Sequence, residues 1–213
     1  MKKFLTLLLF LSLYSAYSQD SVLIKSKVAN AITELREFVA IPNDALNADD
    51  IDTNLYWLRK KFTERGFNST ILETEGLPLF FANLPIDDNK PTILFYMHLD
   101  GQSVDVTKWD QSDPYKIELK SKTEDGWKKE SFSDLTDDIN YDWRLFGRST
   151  SDDKGPIVMF LNAIDALKKD KVDLPYNVKV ILDSEEEKSS APLPKAVRTY
   201  KDLLKADFLV IND

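Results

Sequence analysis

Thr92-Ile93-Leu94-Phe95-Tyr96-Met97 runs straight into His98-Leu99-Asp100, and the reading of this stretch decides the fold. A continuous β-prone run without polar alternation is the pattern of a strand covered on both faces, as in a parallel sheet. It ends on the chain's single histidine. Two further runs read the same way. Asn177 to Leu182 leads to Asp183 and to Glu185-Glu186-Glu187, and Phe208-Leu209-Val210-Ile211 leads to Asn212-Asp213. Helical segments lie between them, Pro156 to about Lys168 and Pro194 to about Leu204, with proline at or near the first turn, where its missing N–H is harmless. Strand, helix, strand, helix, strand predicts an α/β domain with a largely parallel sheet flanked by helices. Ligands bind such open sheets at the carboxyl ends of strands. His98, the glutamates and Asp213 all stand there.

Upstream, Val28, Ile32, Leu35 and Val39 recur at alternating steps of four and three, one apolar stripe of a helix that begins near Asp20 and is closed by Pro42. A second helix starts near Asp49-Asp50, carries Ile51, Leu55, Leu58 and Phe62 on one face, and stops at Gly66. Ser69 to Glu73 and Leu79 to Leu84 read as short strands. Residues 115–144 are charged and polar. Glu124-Asp125-Gly126 makes a turn between strand-like Lys116–Lys120 and Trp127–Phe132, a hairpin excursion from the domain.

The chain has 213 residues, 43% hydrophobic and 30% charged, so an ordinary globular core is within reach. A net charge of −8, with no basic patch, excludes nucleic acid as a partner. There is no cysteine, so disulfides, thiolate ligands and a cysteine nucleophile are all excluded. Residues 1–18 have the order of a secretory signal: Lys2-Lys3, an apolar run from Phe4 to Leu13, then the small pair Ala16 and Ser18. The run is too short for a stable membrane anchor. The expectation is an exported protein, periplasmic or secreted, whose mature part is 19–213.

Taken singly, the polar candidates have plain structural explanations. A histidine at a strand end is commonly a satisfied buried residue, three glutamates are commonly a solvated surface, and Asp152-Asp153 suits a helix start. Their joint order points further. Without a metal, this many carboxylates facing one cleft would repel one another. With divalent metals between them they can activate water and polarise a carbonyl, and a neighbouring glutamate can move the proton.

The segments His98-Leu99-Asp100-Gly101-Gln102, Trp109-Asp110 with Asp113-Pro114-Tyr115, Leu145-Phe146-Gly147-Arg148-Ser149-Thr150-Ser151-Asp152-Asp153-Lys154-Gly155-Pro156 and Asp183-Ser184-Glu185-Glu186-Glu187-Lys188-Ser189-Ser190 resemble one family. It is the co-catalytic zinc metallopeptidases, which include carnosinase-like dipeptidases, glutamate carboxypeptidase, acetylornithine deacetylase and succinyl-diaminopimelate desuccinylase. The resemblance runs from about Ala31 onward, and its spelling is nearest the dipeptidase branch. It implies two Zn²⁺, with Co²⁺ or Mn²⁺ as alternatives. His98 and Asp213 would bind one metal, Asp152 would bridge both, and Glu187 would bind the second. Asp100 would orient His98. Glu186 would be the general base acting on a metal-bridging water. A cis peptide at Asp152-Asp153 is also implied.

The chain departs from the family pattern at Met97 and Ser189, where glycine is usual, and it lacks the downstream histidine expected at the second metal. The family's lid domain, through which any homodimer would form, also has no counterpart. These departures lead to the expectation of an N-terminal portion of a longer catalytic domain. The function implied is amide hydrolysis of dipeptides or peptide C-termini. The alternatives are deacylation of an N-acyl amino acid by the same centre, or a catalytically incomplete binding domain. Retention of Glu186 beside Glu187 and of Asp100 beside His98 argues against the last.

Overall fold

In the computed structural model, residues 27–135 and 139–213 are described, and the signal-like segment 1–18 lies outside them. Residues 27–39 form helix α1. Helix α2, Ala48–Glu64, is capped by Asn47, whose side chain accepts from the Asp49 N–H, with Asp49 and Asp50 in the first turn favoured by the helix dipole. It ends just before Gly66, whose φ of 77° supplies the left-handed backbone a helix exit needs. Strands β1 (Asn68–Leu72), β2 (Leu79–Asn83) and β3 (Thr92–His98) follow, then β4 (Glu118–Thr123), β5 (Gly126–Glu130) and β6 (Arg144–Phe146). Helix α3, Lys154–Lys169, precedes β7 (Asn177–Asp183), and the short helices α4 (Leu193–Thr199) and α5 (Lys201–Leu204) precede β8 (Phe208–Ile211).

The main sheet has the order β1-β2-β7-β3-β8. β7, β3 and β8 pair in parallel, while β2 is antiparallel to both β1 and β7. Only β2 therefore runs against the common direction, and the α/β domain has the largely parallel sheet expected. Alternation along β2 and β7 divides the core. Phe80, Ala82, Val180 and Leu182 pack with Phe38, Leu58, Phe62 and Leu161 of α1, α2 and α3. Leu79, Phe81 and Ile181 on the opposite face pack with Ala196 and Leu204 of α4 and α5. Helices cover both faces at the sheet's centre.

Three details differ from the sequence expectations. Phe208–Ile211 is a strand, but all four residues are exposed instead of covered on both faces. Among the described residues β8 pairs only with β3, and Leu209 and Ile211 border an open apolar groove of about 390 Å³. The expected helix from Pro194 to Leu204 is broken at Tyr200, whose ring packs against the second core cluster and whose hydroxyl donates to the Glu73 carbonyl. The 115–144 excursion gains a third strand, because β6 pairs with β4 on the side opposite β5.

Candidate metal centre

Strand register brings the polar residues to one level. His98 pairs with Asp183 of β7, and Tyr96 pairs with Ile211 of β8. The Asn212 N–H donates to the Tyr96 carbonyl at 3.0 Å, so Asp213 arrives beside His98. Asp152 and Asp153 stand immediately before α3, at a helix N-terminus that favours negative charge. The peptide between them is cis, as the resemblance implies.

His98 is fully buried. Its Nε2 lies 2.7 Å from Asp152 Oδ1 and 3.5 Å from Asp213 Oδ1. Ligand atoms of His98, Asp152 and Asp213 all fall within 4.8 Å of one another, and this is the metal-compatible cluster among the described residues. On the other side of the ring, Nδ1 is 3.3 Å from Asp100 Oδ1. Asp100 is fully buried and accepts the backbone N–H of Glu186 and of Glu187, one on each oxygen, both at 3.1 Å. It therefore orients the imidazole and holds the turn Glu186–Lys188 at once.

The three consecutive glutamates are sorted by their partners. Glu185 is buried, accepts the Leu77 N–H at 2.8 Å and pairs with Lys188 at 2.9 Å, which makes it a brace to the β1–β2 loop. Glu187 is outside the three-residue cluster, with its Oε2 accepting from Gln102 Nε2 at 2.8 Å. Burial raises the Glu186 carboxyl above its ordinary range. The charge of His98 opposes this, and those of Asp213, Glu187 and Asp100 add to it. Ser189, which stands where glycine is usual in the resembling family, has φ 75°, a left-handed backbone that favours glycine. Met97, the other departure, is buried in the main core.

Several participants lie within the quoted motifs, but the sequence assigns them no role at the site. Asp153 Oδ2 accepts the His98 N–H at 3.0 Å, while its buried Oδ1 has no protein partner. Burial pushes the Asp153 carboxyl up to about 7, against the pull of the His98 N–H and charge, with Asp213 and Asp152 adding repulsion. Lys154 is fully buried, donates to the Phe38 and Ile41 carbonyls, and is driven well below the ordinary lysine range by that burial. Gln102 lies within a quoted motif, but nothing in its spacing marks it as the partner of Glu187.

The arrangement suits a divalent cation. One imidazole nitrogen and two carboxylates converge without a thiolate, a donor set for Zn²⁺ or a neighbouring transition metal. The convergence of the Asp152 and Asp213 carboxylates on His98 Nε2 gathers negative charge that a cation would balance.

A family model described as Peptidase family M20/M25/M40 matches residues 94–213. The chain is 34% identical to the Beta-Ala-His dipeptidase of Rattus norvegicus over 138 residues, covering 64% of this chain and 24% of that protein. It is 27% identical to a Cys-Gly metallodipeptidase of Schizosaccharomyces pombe over 205 residues, covering 89% of this chain and 39% of the other. Among solved structures, an M20 family metallo-carboxypeptidase from Sulfolobus solfataricus superposes with a TM-score of 0.66 at 28% identity, over 85% of this chain and 36% of that one. Human carnosine dipeptidase 1 superposes with a TM-score of 0.70 at 24% identity, over 92% and 41%. The chain thus spans about a quarter to two fifths of the length of these relatives.

Proposed function

This chain belongs to peptidase family M20/M25/M40, and from that premise we propose that its site hydrolyses the amide bond of small peptides, dipeptides first, with the help of divalent metal. The convergence of His98, Asp152 and Asp213 in front of a buried Asp100 carries the reading. Similarity to proteins named for Beta-Ala-His and Cys-Gly dipeptides supports the substrate class.

His98, Asp152 and Asp213 would hold one ion, and Asp152 with Glu187 would hold a second, Zn²⁺ being favoured at both. Bound there, such ions acidify water and polarise a carbonyl. The chain's own groups do the remaining work. Asp100 keeps the Nδ1 proton of His98 engaged so that Nε2 presents its lone pair. Glu186, held by its backbone to Asp100 and raised in pKa by burial, takes the proton from the attacking water and passes it to the leaving amine. Export, resting on the signal-like sequence of residues 1–18, belongs to the same proposal.

Glu186→Gln tests the assignment. Metal-stripped protein is reloaded with Zn²⁺, Co²⁺ or Mn²⁺ and offered β-Ala-His, Cys-Gly and N-acetyl amino acids. The expected result is metal-dependent release of amino acid from dipeptides, lost in Glu186→Gln with metal content unchanged. Retained turnover in that variant removes the role of Glu186. Cleavage confined to the N-acetyl compounds replaces peptidase by deacylase.

A further inference from the structure

We propose that Asn43 is a positioning residue for the metal centre, tying the loop that carries His98 and Asp100 to the loop that delivers Asp152. This inference rests on the metal-centre reading above.

Asn43 is fully buried, a place where an apolar residue would serve if packing were the only need. Its side-chain amide and its backbone carbonyl are both engaged. Nδ2 donates to the Leu99 carbonyl at 2.8 Å, and the backbone carbonyl accepts the Gly101 N–H at 2.8 Å. Leu99 and Gly101 flank Asp100, so one residue grips both sides of the carboxylate that orients His98. The same side chain faces Ser149, whose Oγ lies 3.0 Å from Nδ2 and 3.2 Å from Oδ1 and serves as acceptor and donor in turn.

Ser149 is the base of the second loop. Its carbonyl accepts the Lys154 N–H at 3.0 Å, closing the segment that contains Asp152. It also holds φ 56°, a left-handed conformation that costs a non-glycine residue and persists where surroundings enforce it. Gly101 completes the junction, because a Cβ there would collide with Ser149 Oγ and approach Asn43 Nδ2 to 3.0 Å. Lys154 secures the approach to Asn43 from the other direction, through the Phe38 and Ile41 carbonyls. The separation of His98 from Asp152 is therefore set across Asn43. Metal coordination tolerates errors of only about 0.2 Å in ligand distance, so slack at this junction should appear as lost affinity.

The test uses the full chain, stripped of metal and titrated with Zn²⁺ by calorimetry and with Co²⁺ by its visible absorption, well below the melting temperature. Asn43→Ala and the isosteric Asn43→Asp are expected to lose about tenfold or more in affinity for either ion. They should also show an altered Co²⁺ spectrum while retaining a cooperative melt. Ser149→Ala, which cuts only the strut to the Asp152 loop, should lose several-fold, and it carries the test if the Asn43 variants do not fold. Variants that melt lower yet bind within twofold of the unsubstituted chain, with an unchanged Co²⁺ spectrum, overturn the positioning role. Failure of the unsubstituted chain to bind either ion overturns the metal centre itself, and this inference with it.

Discussion

His98 Nε2 and Asp152 Oδ1 lie 2.7 Å apart although they are separated by 54 positions in the chain. The contact joins the end of β3 to the start of α3, and it places a nitrogen and an oxygen donor where they can share one cation. Asp152→Asn keeps the shape and removes the charge. Replacing a partner that only orients a ligand costs about 10–100-fold in metal affinity, and a direct ligand should reach at least the upper end of that range. Zinc calorimetry on the folded variant measures it; an affinity close to that of the unsubstituted chain would remove Asp152 from the ligand set.

Asp100 joins the imidazole to the glutamate turn through three contacts, one to His98 and two to backbone N–H groups. Asp100→Ala leaves those buried donors unpaired, at a cost of about 1–3 kcal/mol for each one that water does not reach. Metal affinity should fall about 10–100-fold as the tautomer and the turn relax. Urea unfolding and metal titration report the two effects separately. A variant normal in both would show that the contacts carry no energy.

Metal binding should release a proton. Burial disfavours a charged imidazole, but the hydrogen bond to Asp100 and the charges of Asp153, Asp100 and Asp152 outweigh it and push His98 up to about 10. Near neutrality the metal-free imidazole is therefore protonated and must deprotonate before Nε2 can ligate. Apparent affinity should rise with pH until about 10. Because the folded-state pKa is raised, its contribution to metal-free stability is full below the ordinary value of 6.5 and is lost as pH rises through about 10. Calorimetry at about pH 8 in buffers of different ionisation enthalpy should show about one proton released; buffer-independent heats would contradict it.

Arg65 provides a control remote from the centre. Its guanidinium bonds Asp165 at 2.7 Å, Glu34 at 2.9 Å and the carbonyls of Leu161 and Lys61, so it staples α1, α2 and α3 together. Asp165 is about half exposed and its share is screened, whereas Glu34 is largely buried but keeps Lys61 at 3.3 Å and Asn162 at 3.0 Å as partners. Arg65→Met should destabilise the fold by about 1–2 kcal/mol, mainly through the lost hydrogen bonds to the Leu161 and Lys61 carbonyls, while leaving metal affinity unchanged. Equal loss of affinity would mean that site geometry follows global stability, and it would weaken every site-specific reading above.

Strand content was legible because it lies in local runs. Thr92–Met97, Asn177–Leu182 and Phe208–Ile211 are strands near the bounds their composition suggests. Their carboxyl ends could be read as a site because parallel crossovers return each strand to the same edge. The insertion of β2 between β1 and β7 was not legible, since alternation records which face is buried but not which strand lies alongside. β6 leaves no sequence signal because Arg144–Phe146 is too short to establish a period. The exposure of β8 is not written in its residues either, because an apolar run reports a capacity for burial, and coverage depends on what packs there.

The sequence by itself determined the α/β class, the family and the strand ends on which the polar residues stand, because hydrophobic period and motif order are local properties of the chain. Only the tertiary structure decided how three adjacent glutamates divide their work. Glu185 turns to Leu77 and Lys188, Glu186 and Glu187 are caught by Asp100 through their backbones, and the Glu187 carboxylate meets Gln102. It also decided that Asn43 binds Leu99 and Ser149, residues 56 and 106 positions away. Hydrogen bonds are short-ranged and directional, so identical side chains acquire different roles only when folding brings distant donors within about 3 Å of some and not of others.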